Sequence, residues 1–434
     1  MKRKNKIFKN IFISLMVICL SACAQNKQDD IEEKENDETI VIVDNVDEIE
    51  DKIIYDTSTI YDAIILVDGD EIVGGTYVAS NKDESVVDVS GTVNASVTGS
   101  ILNKEDGDAS SADASSFRGV NSAVRVYDQA TLTIKDATII SSASNATGVF
   151  AYDGGTIYIY DSEVNVSGGG AGGVQVAGGG TLIGSNLIVT SASKAAIRSD
   201  KGGGIIELDG GTYTSTGSNG CPAIYSTADI TVSNALLVSE KSRAVIIEGK
   251  NSVTLYNCDL TGNDQSTKEG SIKANVLLYQ SASGDAANGT SVFSMSDGKM
   301  TSNSGAMFYC TNTDSVVNLE NVELVLSEDG SLLIVSAGRW GKDGSNGGDC
   351  TFNCKDQTLE GTIEVDSIST LELNLENSTF NGSIDSDGKV SVILDSSSTW
   401  TLTADSYISS LDASSTSINL NGYKLYVNGV EYTN

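Results

Sequence analysis

Apolar and polar positions alternate along most of this chain in runs of four to six residues, and Gly, Asp, Asn or Ser breaks each run. Alternation with period two between turn formers predicts short, half-buried β-strands. The phrase repeats. Ala123-Val124-Arg125-Val126 precedes Thr131-Leu132-Thr133-Ile134-Lys135-Asp136, and Gly148-Val149-Phe150-Ala151 precedes Thr156-Ile157-Tyr158-Ile159-Tyr160-Asp161. The residue closing the second strand reads Asp136, Asp161, Asn186, Gly210, Asn234, Asn257, Asp297, Asn321, Asp356, Asn377 and Ser396. Most of these lie 19 to 25 residues apart, with longer gaps after Asn257 and Asn321. One such repeat cannot bury its own apolar face and must stack on a neighbour, so the pattern predicts a solenoid. With two or three strands per repeat, the expected fold is all-β, a single parallel β-helix of about 11–14 coils, right-handed by the general preference for right-handed crossovers. At ~4.8 Å per coil the rod is on the order of 60 Å long.

Two further features fit stacked strands. A turn between two flat sheets often needs a left-handed residue, and Asn, Asp and Gly tolerate it best. Stacked in register, those side chains can also bond to one another; a tandem calcium-binding Gly-Gly-x-Gly-x-Asp repeat is absent. Pro222 is the only proline, as expected where each strand donates to its neighbours. Helical spacing is not seen over a useful length outside the first 25 residues. Ile418 to Gly429 reads as a hairpin-like cap over the last coil, protecting an edge that would otherwise invite association.

The ends change the picture of where the rod resides. Lys2, Arg3, Lys4, Lys6 and Lys9 precede an apolar run from Ile11 to Leu20, too short for a stable membrane span. The segment closes on Leu20-Ser21-Ala22-Cys23, which resembles the bacterial lipoprotein box. That resemblance implies cleavage before Cys23, lipidation of its sulfur, and an extracytoplasmic chain tied to the bacterial membrane. Residues 24–52 carry 12 Asp or Glu against Lys27, Lys34 and Lys52 and are expected to form a disordered acidic tether. The β-helix domain is expected over 53–434. The net charge of −32 becomes about −37 without the five leader cations. Such a field disfavours nucleic acid and polyanions unless a local basic patch or divalent cation intervenes. A monomer is expected.

Chemistry is constrained by what is missing. The chain has no histidine, which rules out histidine triads and His-ligated zinc. Beyond Cys19 and Cys23 there remain Cys221, Cys258, Cys310, Cys350 and Cys354, an odd number that excludes a complete disulfide framework. These read as buried thiols, with a disulfide as the alternative; a two-Cys metal site without other ligands is not expected. In the first strand of each coil the residue after the inward Val or Ile should point outward. That column reads Arg125, Phe150, Gln175, Arg198, Tyr225, Ile246, Leu277 and Phe308, flanked by Tyr127, Tyr152 and Asp200. Aromatic faces beside Arg, Asp and Gln suit a sugar chain, because rings stack on C–H faces and planar polar groups hold hydroxyls. Tyr and Phe also stack as plain strand ladders. Trp340, in the long insert near 337–350, is a further candidate contact residue.

Coils of this length, the Asp/Asn turn column and Ile206-Glu207-Leu208-Asp209-Gly210-Gly211-Thr212-Tyr213 resemble right-handed parallel β-helix proteins of the pectate-lyase-like superfamily, especially adhesin-like bacterial surface lipoproteins. The resemblance covers roughly residues 60–430 and implies a surface protein that binds glycans or host and cell-surface ligands without catalysis and without a cofactor. Superfamily polysaccharide lyases use calcium and an Arg or Lys base on this sheet. Arg198 with Asp200 and Lys201 is the nearest match, so calcium enters only under that alternative. No lyase motif aligns residue by residue, and a structural surface spacer is the third alternative.

Overall fold

The computed structural model describes residues 53–433, apart from 219, 268–270 and 329. The leader 1–23, Cys23 and the tether 24–52 lie outside the described residues. From Ile53 onward the chain is a single parallel β-helix. A 15-stranded sheet forms one wall, and a 23-stranded sheet containing two rows of strands forms the rest. The coil Val149–Tyr152, Thr156–Tyr160 and Glu163–Val166 is typical, with its first strand in the smaller sheet. The next coil sits on it in register, Val149 against Val174 and Thr156 against Thr181. The smaller sheet ends in two-residue strands, Ile64–Ile65 and Ile418–Asn419, which belong to the irregular ends of the repeat.

The inward column Val124, Val149, Val174, Ile197, Ile224 and Val245 is fully buried, so alternate residues of each strand fill the rod. Toward the C-terminus the filling turns aromatic: Trp400 is enclosed and stacks on Phe380 at 5.7 Å.

The turn column is where the repeat placed it. Asp136, Asp161, Asn186, Asn234, Asn257, Asp297, Asn321, Asp356 and Asn377 all have φ between 46° and 60°, and Gly210 has φ 70°. Their side chains form a ladder. Asn186 Nδ2 donates to Asp161 Oδ1 at 3.1 Å, Asn257 to Asn234 at 2.9 Å and Asn321 to Asp297 at 2.6 Å. Where Gly210 supplies no acceptor, Asn234 turns to Asp209 Oδ1 at 2.7 Å. Ser396 is a correction. It is not among the left-handed residues, and Asp395 takes over the corner, accepting from Asn377 N at 3.3 Å and Ser398 Oγ at 2.6 Å.

A second difference shapes the site. Residues Ala112–Arg118 form an α-helix laid outside the smaller sheet. Its signals are local: Ser111 caps Ala114 N, Asp113 lies in the first turn, Arg118 in the last, and Gly119 closes it at φ 65°. Seven residues show too little periodicity for a helix to stand out in a sequence dominated by strands. At the other end the hairpin forms later than the expected Ile418 to Gly429: Ile418–Asn419 joins the smaller sheet parallel to Trp400, and Leu425–Val427 pairs antiparallel with Val430–Glu431 around Asn428 and Gly429, both at positive φ.

Candidate functional site

The outward column of the smaller sheet exists as a register. Arg125 pairs with Phe150, Phe150 with Gln175, Gln175 with Arg198, Arg198 with Tyr225, Tyr225 with Ile246 and Ile246 with Leu277. The next member is Tyr309, not Phe308. Phe308 points inward, 5.8 Å from Phe293 and 5.5 Å from Phe352. All of Ala306–Thr311 is buried on both faces, so alternation could not reveal which residues faced out.

The column is not an open wall. The helix covers its middle: Gln175 Nε2 donates to Ser116 O at 2.8 Å, Lys194 Nζ to Ser116 Oγ at 2.6 Å, and Arg125 Nε to Arg118 O at 2.8 Å. Gly119 passes so close to Phe150 that a Cβ there would lie 2.5 Å from the ring. Phe150 and Gln175 are therefore fully enclosed, correcting their expected role as contact residues. Arg125 is half-buried, 3.6 Å from Asp88 and 3.9 Å above the Tyr127 ring. Tyr152 alone of this group opens on a cleft, about 370 Å³, shared with Phe117, Arg118, Gly178 and Lys201.

Beyond the helix the face descends into a connected polar network. Asp200, buried, holds Arg198 through Nε at 3.1 Å and Nη2 at 2.8 Å on one carboxylate oxygen. Both residues were expected to bond ligand; here they bond each other. The Arg198 guanidinium lies 4.5 Å over Tyr225. Tyr225 Oη donates to Glu248 Oε2 at 2.5 Å, and Tyr279 Oη to the same oxygen at 3.0 Å. Ser281 and Ser283 supply the other oxygen, so the buried carboxylate is fully served. Burial pushes the phenols of Tyr225 and Tyr279 above their ordinary range. Lys194, beside Arg198, is pulled down to about 8, by burial first and by the neighbouring guanidinium second.

The two long inserts of the repeat, near 261–291 and 337–350, then wall off a second cleft of about 390 Å³. Arg243 anchors the first insert, with Nε 3.2 Å from Asp264 and Nη2 donating to Ile272 O at 2.6 Å. Asn346 braces the second, donating to Gly338 O at 2.7 Å and Trp340 O at 2.9 Å. Trp340 comes to rest 4.5 Å from Tyr279, with Arg339 stacked 4.4 Å over its indole. The floor is Ile246, Leu277 and Tyr279, which with Tyr309 belong to a small outer cluster separate from the interior of the rod. Of the expected residues this cleft unites Tyr225 and Trp340, 115 positions apart in sequence. It adds Arg243, Asp264 and Arg339, which lie in inserts or beside a strand end, and Tyr279, which stands in register with Glu248 in the outward column flanking the first.

Comparisons with protein-family models, with curated proteins and with solved structures find no match to this chain.

Proposed function

We propose that this chain is a non-catalytic, adhesin-like surface lipoprotein of the pectate-lyase-like superfamily, anchored through Cys23 outside a bacterial cell, and that it binds a glycan or another cell-surface ligand at the outer face of its smaller sheet. The observation that carries this reading is the cleft of Tyr225, Tyr279, Trp340 and Arg243. It combines an aromatic edge, an apolar floor and directional donors, the combination that holds a sugar ring by stacking and by hydrogen bonds. The helix over Phe150 and Gln175 interrupts the face, so a ligand occupies the cleft as a short segment or chain end instead of lying along successive coils. A calcium-dependent polysaccharide lyase is the second reading, and Lys201 favours it: it follows the Arg198–Asp200 pair and lines the Tyr152 cleft, where its amine can reach a ligand.

A glycan array probed with the mature protein, with calcium present, separates these readings. Binding without product, lost in Trp340→Ala, is the outcome expected. Formation of unsaturated sugar that disappears in Lys201→Met establishes the lyase, and neither binding nor turnover leaves a spacer. Cys23→Ser should move the protein from the membrane to the soluble fraction; unchanged fractionation removes the anchor from the proposal.

A further inference from the structure

All five cysteines of the described fold are buried and unbridged, but they are not equivalent. Cys221 Sγ rests on Ser193 O at 2.5 Å, and Cys258 Sγ on Val232 O at 3.4 Å, each against backbone. Cys310 and Cys350 face each other across the interior, with sulfurs 3.6 Å apart and no exposed surface on either. Cys310 comes from Ala306–Thr311 in the smaller sheet and Cys350 from Asp349–Lys355 in the larger. A disulfide needs about 2.05 Å, so roughly 1.5 Å of closure would join them. Cys350 and Cys354 cannot pair instead: four residues along one strand separate them by about 13 Å, beyond the reach of a bridge.

The position of the pair gives it a consequence. Cys310 O accepts from Ser336 N at 3.2 Å, where the Trp340 insert begins, and Cys350 lies two residues beyond Gly348, after Asp349, at the insert's end. The two sulfurs therefore sit beneath the entry and the exit of the segment that walls the second cleft. We infer that Cys310 and Cys350 form a structural disulfide in an oxidising compartment, a covalent staple that fixes the base of the Trp340 insert. The chemistry balances as two exchanges with a small-molecule disulfide. One protein thiolate attacks it to give a mixed disulfide and one free thiol. The second protein sulfur then displaces the remaining thiol, so two S–H bonds are replaced by one S–S bond and the oxidant is reduced to two thiols. In the closed fold the Cys350 thiol is held well above its usual range by the Cys310 contact and by burial, so exchange belongs to folding or to opening of the coil.

The test is to refold the mature chain in buffers of reduced and oxidised glutathione, alkylate free thiols under denaturing conditions, and map the peptides. Oxidising buffer should yield one crosslink, Cys310 to Cys350, with Cys221, Cys258 and Cys354 alkylated. Trypsin applied to the folded protein should cut after Arg339 and Lys342 at least severalfold more slowly in the oxidised form. Both measurements use the unaltered chain, and Cys310→Ser should abolish the crosslink and the difference in cleavage together. Full alkylation of Cys310 and Cys350 after oxidising refolding, or a crosslink to any other cysteine, overturns the pairing. A Cys310–Cys350 crosslink with unchanged cleavage overturns its hold on the insert. That this insert carries ligand contacts rests on the functional reading above; neither readout involves a glycan, so the two fail separately.

Discussion

Tyr225 and Glu248 face outward from successive coils, and the tyrosine hydroxyl donates to the carboxylate at 2.5 Å beneath Arg198. A buried carboxylate needs every donor it has, and a bond to a charged acceptor contributes about 1.5–3 kcal/mol. Tyr225→Phe keeps the ring under Arg198 and removes only the donor. Tyr279, Ser281 and Ser283 remain on Glu248, so the expected loss is about 1–2 kcal/mol in urea unfolding. Glu248→Gln, which leaves the buried phenols with a neutral amide, should cost at least as much. A Tyr225→Phe variant as stable as the parent would mean that this bond contributes nothing to the network.

The Asn ladder can be divided into conformation and side chain at one residue. Asn257 has φ 49° and its amide reaches Asn234 at 2.9 Å. Asn257→Gly loses the amide but keeps the backbone easy, and should cost about 1 kcal/mol. Asn257→Ala also places a Cβ in the left-handed region, which adds about 1–2 kcal/mol. Thermal unfolding should therefore rank parent, glycine and alanine in that order. Equal stability of the two variants would remove the conformational part of the account.

How much of this could be seen beforehand varies with distance from the repeat. Val124, Val149 and Val174 recur at the coil period, and so do Asp161 and Asn186, because stacking imposes the same environment on each coil. That regularity made the sheets, the turns and the column from Arg125 to Leu277 legible. It could not reveal Ser111 to Gly119 lying across Phe150, since a covering element is a single event with no counterpart in the next coil. Nor could it reveal that Arg243 meets Asp264 or that Trp340 returns to Tyr279, for those contacts join inserts to the rod. Alternation also fails where both faces are buried, which is why the pattern points to Phe308 although Tyr309 faces outward.

Lys194 predicts a pH signature. Its amine titrates near 10.5 when unfolded and about 8 in the fold. Between those values the unfolded chain holds the extra proton, so stability rises with pH across the window and the cost of burying the charge is fully present below about 8. Tyr225 and Tyr279 act oppositely above about 10, because their raised values keep folded phenols protonated after the unfolded ones ionise. The measurement that isolates the lysine is the difference in urea midpoint between parent and Lys194→Met from pH 7 to 10. It should shift in favour of the parent as pH rises; a constant difference would show that the amine is not perturbed.

The two clefts can be told apart by one aromatic residue each. Trp340 meets Tyr279 at 4.5 Å at the rim of one, and Tyr152 lines the other with Phe117 and Lys201. Trp340→Ala removes one aromatic pair, which contributes about 0.5–1.5 kcal/mol, so the fold should survive with a small fall in midpoint. If the indole stacks on a sugar ring, its loss should weaken binding by at least about tenfold, the scale of a central contact residue. Asn346→Ala tests the same cleft from behind. It leaves the indole in the chain but cuts the amide bonds to Gly338 O and Trp340 O, and binding should weaken because the ring is no longer held in place. Tyr152→Ala should leave affinity within about twofold if the Trp340 cleft is the site. The reverse pattern, with Tyr152→Ala abolishing binding and Trp340→Ala and Asn346→Ala neutral, would transfer the site to the cleft beside the helix.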